Sequence, residues 1–181
     1  IDCVEFPIST GKESNVFRAR TKTGFLALKI YRTTTNIFKD LRKYVIGDPR
    51  FAEIKKQDII FTWAKKEYKN LIRMQEAGVR VPEPVLCRAN VLVMEYIGNE
   101  YMPAPMLKDT DKIKNPELLF KNILSSMKKA YQKGNIVHGD ISEYNILMNR
   151  GKPVIIDVGQ AVVKEHPLAQ ELLVSDVTNM L

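Results

Sequence analysis

The chain has 181 residues, of which 45% are hydrophobic and 27% charged, a balance that excludes a disordered or fibrous protein and suits one substantial core or two small lobes. Its 28 basic residues exceed its 21 acidic ones, which gives a net charge of +7. Such a charge favours anionic partners such as a nucleotide, RNA or an acidic protein, but a lysine-rich solvated surface explains it equally well.

The sequence indicates no membrane segment and no disulfide. No apolar run approaches the roughly 20 residues that a membrane helix needs, and no signal-peptide pattern opens the chain. Cys3 and Cys87 lie far apart and fit no zinc or CxxC spacing, which is typical of free thiols in a reducing compartment. We therefore expect a soluble, cytoplasmic protein without a membrane partner. Because the chain starts at Ile1 and stops at Leu181 within a predicted helix, we also expect it to be part of a longer polypeptide.

Three strands are predicted between Val4 and Arg32, in the segments VEFPIS, NVFRART and GFLALKIYR, with a glycine-containing turn at residues 21–24. Residues 33–57 are polar and basic with weak periodicity, which predicts a mobile loop that holds a short helix. We expect a protease to cut this loop first, and the loop could carry self-phosphorylation.

A helix is predicted over residues 62–77, because Trp63, Leu71 and Met74 lie along one side and Gly78 follows as a stop. The segments VLCR and VLVMEY then predict a hairpin that turns at residues 89–90. The first half of the chain is therefore expected to form a five-stranded, mostly antiparallel sheet with one main helix.

The second half is predicted to be mostly helical, with the lobe boundary near Gly98, so that residues 1–97 and 98–181 form two lobes of an α+β fold. After the linker-like IGNEYMPAP, Asn115 is a predicted helix cap and Pro116 suits the first turn. The apolar stripe of this helix comprises Leu119, Ile123, Met127 and Tyr131, and Gly134 ends it. The segments NILM and PVIID predict a short hairpin that turns about residues 149–151.

The segment IVHGDISEYNILM, residues 136–148, carries the strongest chemical pattern. His138, Asp140 and Asn145 match H-x-D-x-x-x-x-N, the catalytic loop of protein kinases. Phosphoryl transfer needs a carboxylate beside the attacking hydroxyl and an amide oxygen that can hold Mg²⁺, and one short loop can present both. Taken alone, the pattern is also compatible with Asp140 capping a turn and Asn145 bonding the backbone.

Asp157 strengthens this interpretation. It ends the apolar strand in PVIIDVGQ and stands two residues before a glycine, where a kinase carries the aspartate that binds Mg²⁺ at the phosphates. An aspartate at the end of a buried strand often only forms a turn. The metal-binding interpretation of Asp157 therefore depends on its combination with Asp140 and Asn145.

The segment STGKESNV keeps the register of a kinase glycine-rich loop, G-x-G-x-x-G-x-V. Ser9 and Ser14 stand where glycines are usual, whereas Gly11 and Val16 are retained. Small residues still let backbone amides approach phosphate, and Lys12 with the serine hydroxyls adds donors. As an isolated motif this stretch is equally well an ordinary hairpin turn.

In LALK, strand alternation puts Ala27 and Lys29 on one face, so adenine can lie against the alanine while the ammonium meets the phosphates. A lysine that points inward needs an anionic partner. Glu67 is the favoured partner because it falls within the predicted helical stripe, and the rival candidates are Glu53, Asp58 and Glu76.

With these pieces together, the chain resembles the RIO family of atypical serine/threonine protein kinases, and most closely the branch called Rio one. The resemblance is carried by STGKESNVF, LALKIYR, MEYIG, HGDISEYNIL and IDVGQAV, which occur in family order from Ser9 to Val162. It implies a reduced two-lobed kinase fold, with an N-terminal winged helix that we expect to lie outside this chain. It also implies kinase or ATPase activity coupled to maturation of the small ribosomal subunit.

The resemblance also implies roles for individual residues. Asp140 would be the catalytic aspartate, Lys29 the phosphate-contacting lysine and Glu67 its ion-pair partner, while Asn145 and Asp157 would hold Mg²⁺, or Mn²⁺, with ATP. The family further offers Asp157 as a transient phosphoryl acceptor. The remaining nucleotide-binding residues implied by the resemblance are Ser9, Gly11, Lys12, Ser14, Val16, Ala27, Met94, Glu95, Ile97, Leu147 and Ile156.

Two departures from ordinary kinases bear on the substrate. Gly139 replaces the arginine of H-R-D, so control through a phosphorylated activation loop is not expected. After Asp157 no A-P-E element follows, and the chain goes almost directly to a helix predicted to have Pro167 in its first turn. A peptide-docking platform is therefore not expected, which favours a large structured partner such as the pre-ribosomal small subunit with its rRNA and proteins.

Two alternatives stay open at this point. Small-molecule phosphotransferases of the aminoglycoside or choline kinase type also use H-G-D, although they usually carry a second histidine where this chain has Ser142. The second alternative is a basic RNA-binding scaffold that has kept a nucleotide pocket but does not turn ATP over. The sequence leaves the oligomeric state open.

Overall fold

The computed structural model describes residues 1–33, 38–51 and 59–180. Its strands and α-helices follow in chain order as β1 Cys3–Thr10, β2 Ser14–Thr21, β3 Gly24–Tyr31, α1 Phe38–Val45, α2 Ile59–Glu76, β4 Pro84–Arg88, β5 Val91–Glu95, α3 Pro116–Gln132, β6 Ile136–Val137, β7 Ile146–Asn149, β8 Lys152–Ile155, β9 Val162–Val163 and α4 Ala169–Thr178. Short 3-10 turns occur at Pro49–Phe51 and Leu107–Asp109. Among the described residues, no helix is both long and apolar enough to span a bilayer.

Within the described residues, one sheet holds five strands in the order β1-β2-β3-β5-β4, and every neighbouring pair is antiparallel. The predicted five-stranded sheet is therefore confirmed. Strands β2 and β3 pair without interruption from Ser14 opposite Tyr31 to Thr21 opposite Gly24. The β4–β5 turn places Ala89 at a φ of 50°, a left-handed conformation that suits a two-residue hairpin loop.

Helix α2 packs against the sheet and starts at Ile59, three residues before the predicted start at Thr62. Gly78 ends it as predicted, with a φ of 80°, while the Val79 amide donates to the Met74 carbonyl at 3.0 Å. Its buried face is broad and combines apolar with polar side chains. The buried residues are Thr62, Trp63, Ala64, Lys66, Glu67, Asn70, Leu71 and Met74. A stripe that mixes apolar and charged residues in this way indicates that the helix serves a site as well as the core.

Helix α3 begins as the sequence predicts. The Asn115 side chain accepts a hydrogen bond from the Leu118 amide at 2.9 Å, and Pro116 occupies the first turn. The predicted stripe is buried at Leu119 and Ile123 but only partly buried at Met127, and Tyr131 is exposed. The core face of α3 is thus narrower at its carboxyl end than the periodicity suggests.

Two small strand pairs lie after α3. The hairpin of β7 and β8 confirms the prediction, and its turn has positive φ at Arg150 and Gly151. The pairing of β6 with β9 was not predicted, because two-residue strands carry no readable alternation. This pair joins the residues just before His138 to the residues that follow Asp157, so it brackets the two chemical motifs.

The prediction that Pro167 lies in the first turn of the last helix is wrong. Helix α4 begins at Ala169, and Pro167 precedes its Leu168 cap. The chain turns here because His166 accepts two backbone hydrogen bonds. Its ring Nδ1 accepts from the Leu168 amide at 3.1 Å, and its backbone carbonyl accepts from the Ala169 amide at 2.9 Å. A local histidine-centred turn therefore fixes the entry to α4.

The predicted loop of residues 33–57 contains helix α1, which confirms the short helix expected there. Residues 34–37 and 52–58 lie outside the described residues, and so do the rival lysine partners Glu53 and Asp58. The mobility of this segment therefore stays a prediction.

One hydrophobic cluster runs through both halves of the molecule. It combines the buried face of α2 with residues of α3, β6, β7 and the segment after Asp157, for example Trp63, Leu71, Ile136, Ile146 and Val158. A smaller cluster of Ala19, Leu28 and Val93 covers the other face of the sheet. The shared core holds the sheet and the helical half in one arrangement, whereas the lobe boundary near Gly98 stays a prediction.

Candidate active site

A cleft of about 620 Å³ opens between the sheet and the helical half, a size that accommodates a nucleotide. With the exception of Asp140, every site residue predicted from the sequence lines it: Ser9, Gly11, Lys12, Ser14, Val16, Ala27, Lys29, Glu67, Met94, Glu95, Ile97, Asn145, Leu147, Ile156 and Asp157. Asp140 lies next to the cleft and contacts Asn145. The fold thus gathers segments that are far apart in the sequence around one cavity.

Lys29 is the hub of a buried charge cluster. Its Nζ donates to both carboxylate oxygens of Glu67, at 2.9 and 2.8 Å, and to Oδ1 of Asp157 at 2.8 Å. Lys29 and Glu67 are 6% and 1% exposed, and the Tyr31 hydroxyl also donates to the Glu67 carboxylate. The predicted ion pair is therefore present, while the rival Glu76 is exposed at the end of α2.

The charges in this cluster stabilise one another. Burial alone would lower the pKa of Lys29, but the negative charges of Asp157 and Glu67 raise it above its ordinary value. The positive charge of Lys29 in turn holds the pKa of Asp157 below its ordinary value. At neutral pH the cleft therefore contains a protonated lysine beside an ionised aspartate, which suits a site for phosphate and a cation.

Asp157 adopts a left-handed backbone conformation, with a φ of 57°. Its side chain is 54% exposed within the cleft, whereas the next residue, Val158, is completely buried. The left-handed turn lets the chain place a carboxylate in the cleft and a valine in the core in direct succession. Backbone conformations of this kind persist where the surrounding structure holds them, and they cluster at functional sites.

Asp140 and Asn145 are linked within the catalytic-loop motif. The Asn145 amide nitrogen donates to Oδ2 of Asp140 and to the Asp140 carbonyl, each at 2.8 Å. Because both contacts use the nitrogen, the amide oxygen is the atom through which Asn145 would bind a cation. Burial raises the pKa of the Asp140 carboxyl, although the hydrogen bond from Asn145 opposes that effect.

Helix α4 holds the backbone of this loop through Asp176, a residue that the sequence analysis missed. The buried Asp176 carboxylate accepts from the Gly139 amide at 2.8 Å and from the Ile141 amide at 2.9 Å. These two amides flank Asp140, so α4 fixes the backbone on both sides of this residue. A single aspartate in a helix forms no recognisable motif. The sequence offered one signal, which is that Leu172 and Leu173 share a helical face with Asp176 and so indicate burial.

Gly139 is required by the same packing. Its φ is 81°, and a Cβ added there would stand 3.2 Å from Cδ1 of Leu172 on α4. His138 completes the support: its Nδ1 accepts from the Asp140 amide at 3.2 Å, which makes Nε2 the donor to the Ile156 carbonyl at 3.1 Å. The glycine at the arginine position of H-R-D therefore has a steric reason.

The turn between β1 and β2 closes one end of the cleft. The Gly11 amide donates to the Ser14 carbonyl at 2.9 Å, and a Cβ on Gly11 would approach that oxygen to 3.3 Å. Ser9 and Lys12 are exposed, whereas Glu13 lines the cleft and is half-buried. Burial and then the negative charge of Asp157 raise the pKa of Glu13, a residue the sequence analysis did not single out.

The apolar end of the cleft has sheet residues on one side and hairpin residues on the other. Val16, Ala27 and Met94 belong to β2, β3 and β5, while Leu147 lies on β7 and Ile156 just after β8. Such walls fit a flat aromatic ring.

The predicted adenine hinge is partly occupied by backbone hydrogen bonds. The Glu95 amide donates to the Glu83 carbonyl at 2.8 Å, and the Ile97 carbonyl accepts from the Ala104 amide at 2.9 Å. Adenine would therefore meet the Glu95 carbonyl and the Ile97 amide. The stretch after the hinge is more ordered than a linker, because Gly98 bridges Pro103 and the Met148 amide donates to the Pro105 carbonyl at 2.8 Å.

The donor set of the cleft fits Mg²⁺. Asp157 offers a carboxylate and Asn145 an amide oxygen, and hard oxygen ligands of this kind, completed by phosphates and water, are what Mg²⁺ prefers. Within residues 1–33, 38–51 and 59–180 no group of three or more histidine, cysteine, aspartate or glutamate residues could hold a metal unaided.

A family model described as RIO domain matches residues 15–181. The chain is 45% identical, over 96% of its length, to the RIO-type serine/threonine-protein kinase Rio1 of Methanocaldococcus jannaschii, and covers 60% of that protein. It is 41% identical to the protein of the same name from Thermoplasma acidophilum, of which it covers 87%, and 42% identical to the human serine/threonine-protein kinase RIO1, of which it covers 32%. The chain thus spans less than two thirds of several of the relatives it matches.

Solved structures agree on the fold. Two structures of the Rio2 kinase of Chaetomium thermophilum, the second described as an ADP/Mg²⁺-phosphoaspartate complex, superpose with TM-scores of 0.73 and 0.72 at 24% and 23% identity. The superpositions cover 98% of this chain and 55% and 53% of the other two. The predicted reduced, two-lobed kinase-like α+β fold is confirmed.

Proposed function

Because this chain belongs to the RIO domain family, we propose that it is an atypical serine/threonine protein kinase or ATPase that uses Mg²⁺ and ATP. The observation that carries the proposal is the contact of Lys29 with both Glu67 and Asp157, beside a loop that presents Asp140 and Asn145. Charged groups of both signs and an amide meet at one end of an apolar cleft, which is the arrangement that an adenine nucleotide needs.

Each residue has a defined part in the proposed reaction. Lys29 contacts phosphate oxygens of ATP, and Glu67 keeps its ammonium at the cleft. Asp157 and the amide oxygen of Asn145 hold the cation, which, when bound, offsets the charge of the phosphates. Asp140 orients the attacking hydroxyl or water and accepts its proton, while the Asn145 amide nitrogen fixes the direction of that carboxylate.

A covalent variant assigns a further step to Asp157. A carboxylate oxygen of Asp157 attacks the γ-phosphorus, the bond from that phosphorus to the β–γ bridging oxygen breaks, and ADP leaves with the electron pair. Water then attacks the same phosphorus and gives its proton to Asp140. The bond to Asp157 breaks, which releases inorganic phosphate and restores the carboxylate. The exposure of the Asp157 side chain within the cleft and the phosphoaspartate in the Rio2 complex support this variant.

The proposed partner is a pre-ribosomal small subunit in the cytoplasm. The support is indirect: a net charge of +7 suits rRNA, and the Rio one resemblance implies this role. The segment from Asp157 to α4 is short and packed, which leaves little room for a peptide-docking loop.

The test is ATP hydrolysis measured with Mg²⁺ alone, with small-subunit precursor particles, and with a panel of aminoglycosides and choline. We expect turnover that requires Mg²⁺ and rises with the particles. Stimulation by an aminoglycoside or choline with transfer of phosphate to it would replace the proposal with a small-molecule phosphotransferase. ATP binding without any turnover would replace it with a nucleotide-binding RNA scaffold.

A further inference from the structure

Helix α2 contacts the chain after Asp157 through side chains that the proposed reaction does not use. We call Val158 to Ala161 the post-aspartate turn. Lys66 Nζ donates to the Gly159 carbonyl at 2.7 Å and also to the Ala161 carbonyl. Asn70 Nδ2 donates to the carbonyls of Val158 and Ala161 at 2.8 and 2.9 Å. These two side chains thus bind three of the four carbonyls of the post-aspartate turn, and both bind the Ala161 carbonyl.

Trp63 extends this contact by one helical turn. A Cβ added to Gly159 would stand 3.1 Å from Cζ2 of the Trp63 indole, closer than most Cβ contacts, so a larger residue there would require the ring or the turn to shift. The Lys66 ammonium lies 5.3 Å from the centroid of the same ring, within cation–π range. Trp63, Lys66 and Asn70 lie on one face of α2, and together they enclose the post-aspartate turn.

The free-energy cost of burying two polar side chains in α2 indicates that they do more than fill the core. Lys66 and Asn70 are completely buried, with 0% exposure each. Burial of an ammonium costs several kcal/mol unless hydrogen bonds compensate it, and an apolar residue of similar volume usually serves a core as well or better. A second layer fixes Asn70, because Arg50 donates to its amide oxygen at 2.9 Å and is itself paired with the buried Asp48 at 2.6 Å.

The same helix reaches Asp157 from its other side. Glu67, next to Lys66 in the sequence, holds Lys29, and Lys29 donates to the Asp157 carboxylate. Asp157 is therefore fixed twice by α2: its carboxylate through Glu67 and Lys29, and its backbone through the turn that follows it. The left-handed φ of Asp157 needs such support, because this conformation is unfavourable for a residue other than glycine.

We propose that Lys66 and Asn70 are positioning residues that hold the post-aspartate turn, so that Asp157 keeps the one direction in which it can bind the metal of Mg²⁺-ATP. The role of the metal rests on the proposed function, whereas the hydrogen bonds of Lys66 and Asn70 to the post-aspartate turn do not depend on it.

The first measurement is hydrogen exchange of the nucleotide-free protein at residues 157–162. The variants are Lys66→Met, which keeps the length of the side chain, and Asn70→Leu, which keeps its approximate size. Each removes donors to two carbonyls, so exchange in this segment should become about tenfold faster or more while β2 and β3 are unchanged. Lys66→Gln keeps an N–H donor and should lie nearer to the wild type.

Lys65→Met is the matched control, because Lys65 is the exposed neighbour on the same helix. It should leave exchange at residues 157–162 unchanged. Equal acceleration throughout the protein, in both Lys66→Met and Asn70→Leu, would mean that these residues only stabilise the fold, and unchanged exchange at residues 157–162 would overturn the hold itself.

The second measurement is the Mg²⁺ concentration that gives half-maximal ATP turnover. We expect it to rise about tenfold or more in Lys66→Met and Asn70→Leu, because loss of the residues that support a metal ligand typically weakens metal affinity by about 10–100-fold. A purely structural role would lower the maximal rate with the folded fraction and leave this concentration unchanged, which would overturn the link to Asp157. If the wild type showed no Mg²⁺-dependent turnover, the proposed function would fail, yet the exchange result would stand.

Discussion

Asp140 is half-buried and hydrogen-bonded to Asn145, which is an unusual environment for a carboxylate unless it has a ligand or a reaction to serve. Each of the four residues Lys29, Asp140, Asn145 and Asp157 sits in a short motif of fixed spacing, so the sequence predicted that they lie close together, and the structure places them at one cleft. Glu67 was chosen from four candidates by its helical position alone, and the structure pairs it with Lys29. Asp176 was missed because its contacts come from a distant segment, and Glu13 because its place in the cleft depends on how the turn between β1 and β2 folds over distant residues.

Replacing Asp140 with asparagine separates chemistry from folding. The substitution keeps the size of the side chain but removes its capacity to accept a proton. Turnover should fall about 10²-fold or more while ATP affinity stays nearly unchanged, the pattern of a lost general base. Steady-state hydrolysis and nucleotide binding measure the two quantities, and Asp111→Asn at an exposed position is the control. Full-speed turnover would rule out the catalytic assignment.

The same variant tests the covalent step. If Asp157 receives the phosphoryl group, Asp140→Asn should accumulate an acid-stable, hydroxylamine-labile phosphoenzyme, because water is no longer activated for its removal. Phosphopeptide mapping should then locate the phosphate on Asp157. A slow variant without this adduct would contradict the covalent variant and leave direct transfer in place.

The pH dependence of turnover follows from the environment of Asp140. Burial raises the pKa of its carboxyl above 3.8, and only the ionised form accepts a proton. Turnover of the wild type should therefore fall as the pH drops through a value higher than 3.8. A profile of kcat/KM against pH shows this acidic limb, and the residual activity of Asp140→Asn should lack it. A limb that persists in the variant would point to Glu13, whose pKa is also raised.

At the scale of elements, segments with a readable pattern were predictable, and the two-residue strands were not. The five sheet strands, α2, α3 and the β7–β8 hairpin carry alternation, helical stripes or turn residues over enough positions to be recognised. Strands β6 and β9 have two residues each, and their pairing depends on the surrounding fold. The start of α4 was misplaced because a turn at His166 overrides the preference of Pro167 for a first helical turn.

Helix α4 should control the catalytic loop through Asp176. In Asp176→Asn one carboxylate acceptor becomes an amide donor, so one of the amides of Gly139 and Ile141 loses its partner. The free energy of unfolding should fall by about 1–3 kcal/mol, and turnover per folded molecule should fall as well. Chemical denaturation and ATP hydrolysis measure the two effects. Ser175→Ala, at the exposed neighbouring position, should change neither, and an Asp176→Asn protein with wild-type stability would contradict this contact.

At the scale of the whole molecule, the sheet and the helical half share one hydrophobic cluster, and the cleft lies between them. Opening of one half would expose the core of the other, so thermal unfolding should show a single transition. Mg²⁺-ATP contacts both halves and should raise the midpoint of this transition by mass action. Two separate transitions in calorimetry would show that the halves fold independently.

The sequence motifs predicted which segments meet, because their order along the chain matches a known family pattern. The depth of the cleft, the double hold of α2 on Asp157 and the ordered stretch after Gly98 depend on packing between distant residues, and no local pattern predicts them. The comparison with relatives established the family, whereas the roles of individual residues are proposals that rest on geometry.

The most direct test of the central claim is Mg²⁺-dependent ATP hydrolysis by Asp157→Ala beside the wild type, with folding of both verified by circular dichroism. Removal of this carboxylate takes away the proposed metal ligand and a partner of Lys29 in the cleft. We predict that Mg²⁺-dependent turnover is abolished while the folded structure is retained. Turnover near the wild-type rate would contradict the assignment of Asp157 to the metal, and with it the proposed arrangement of the active site.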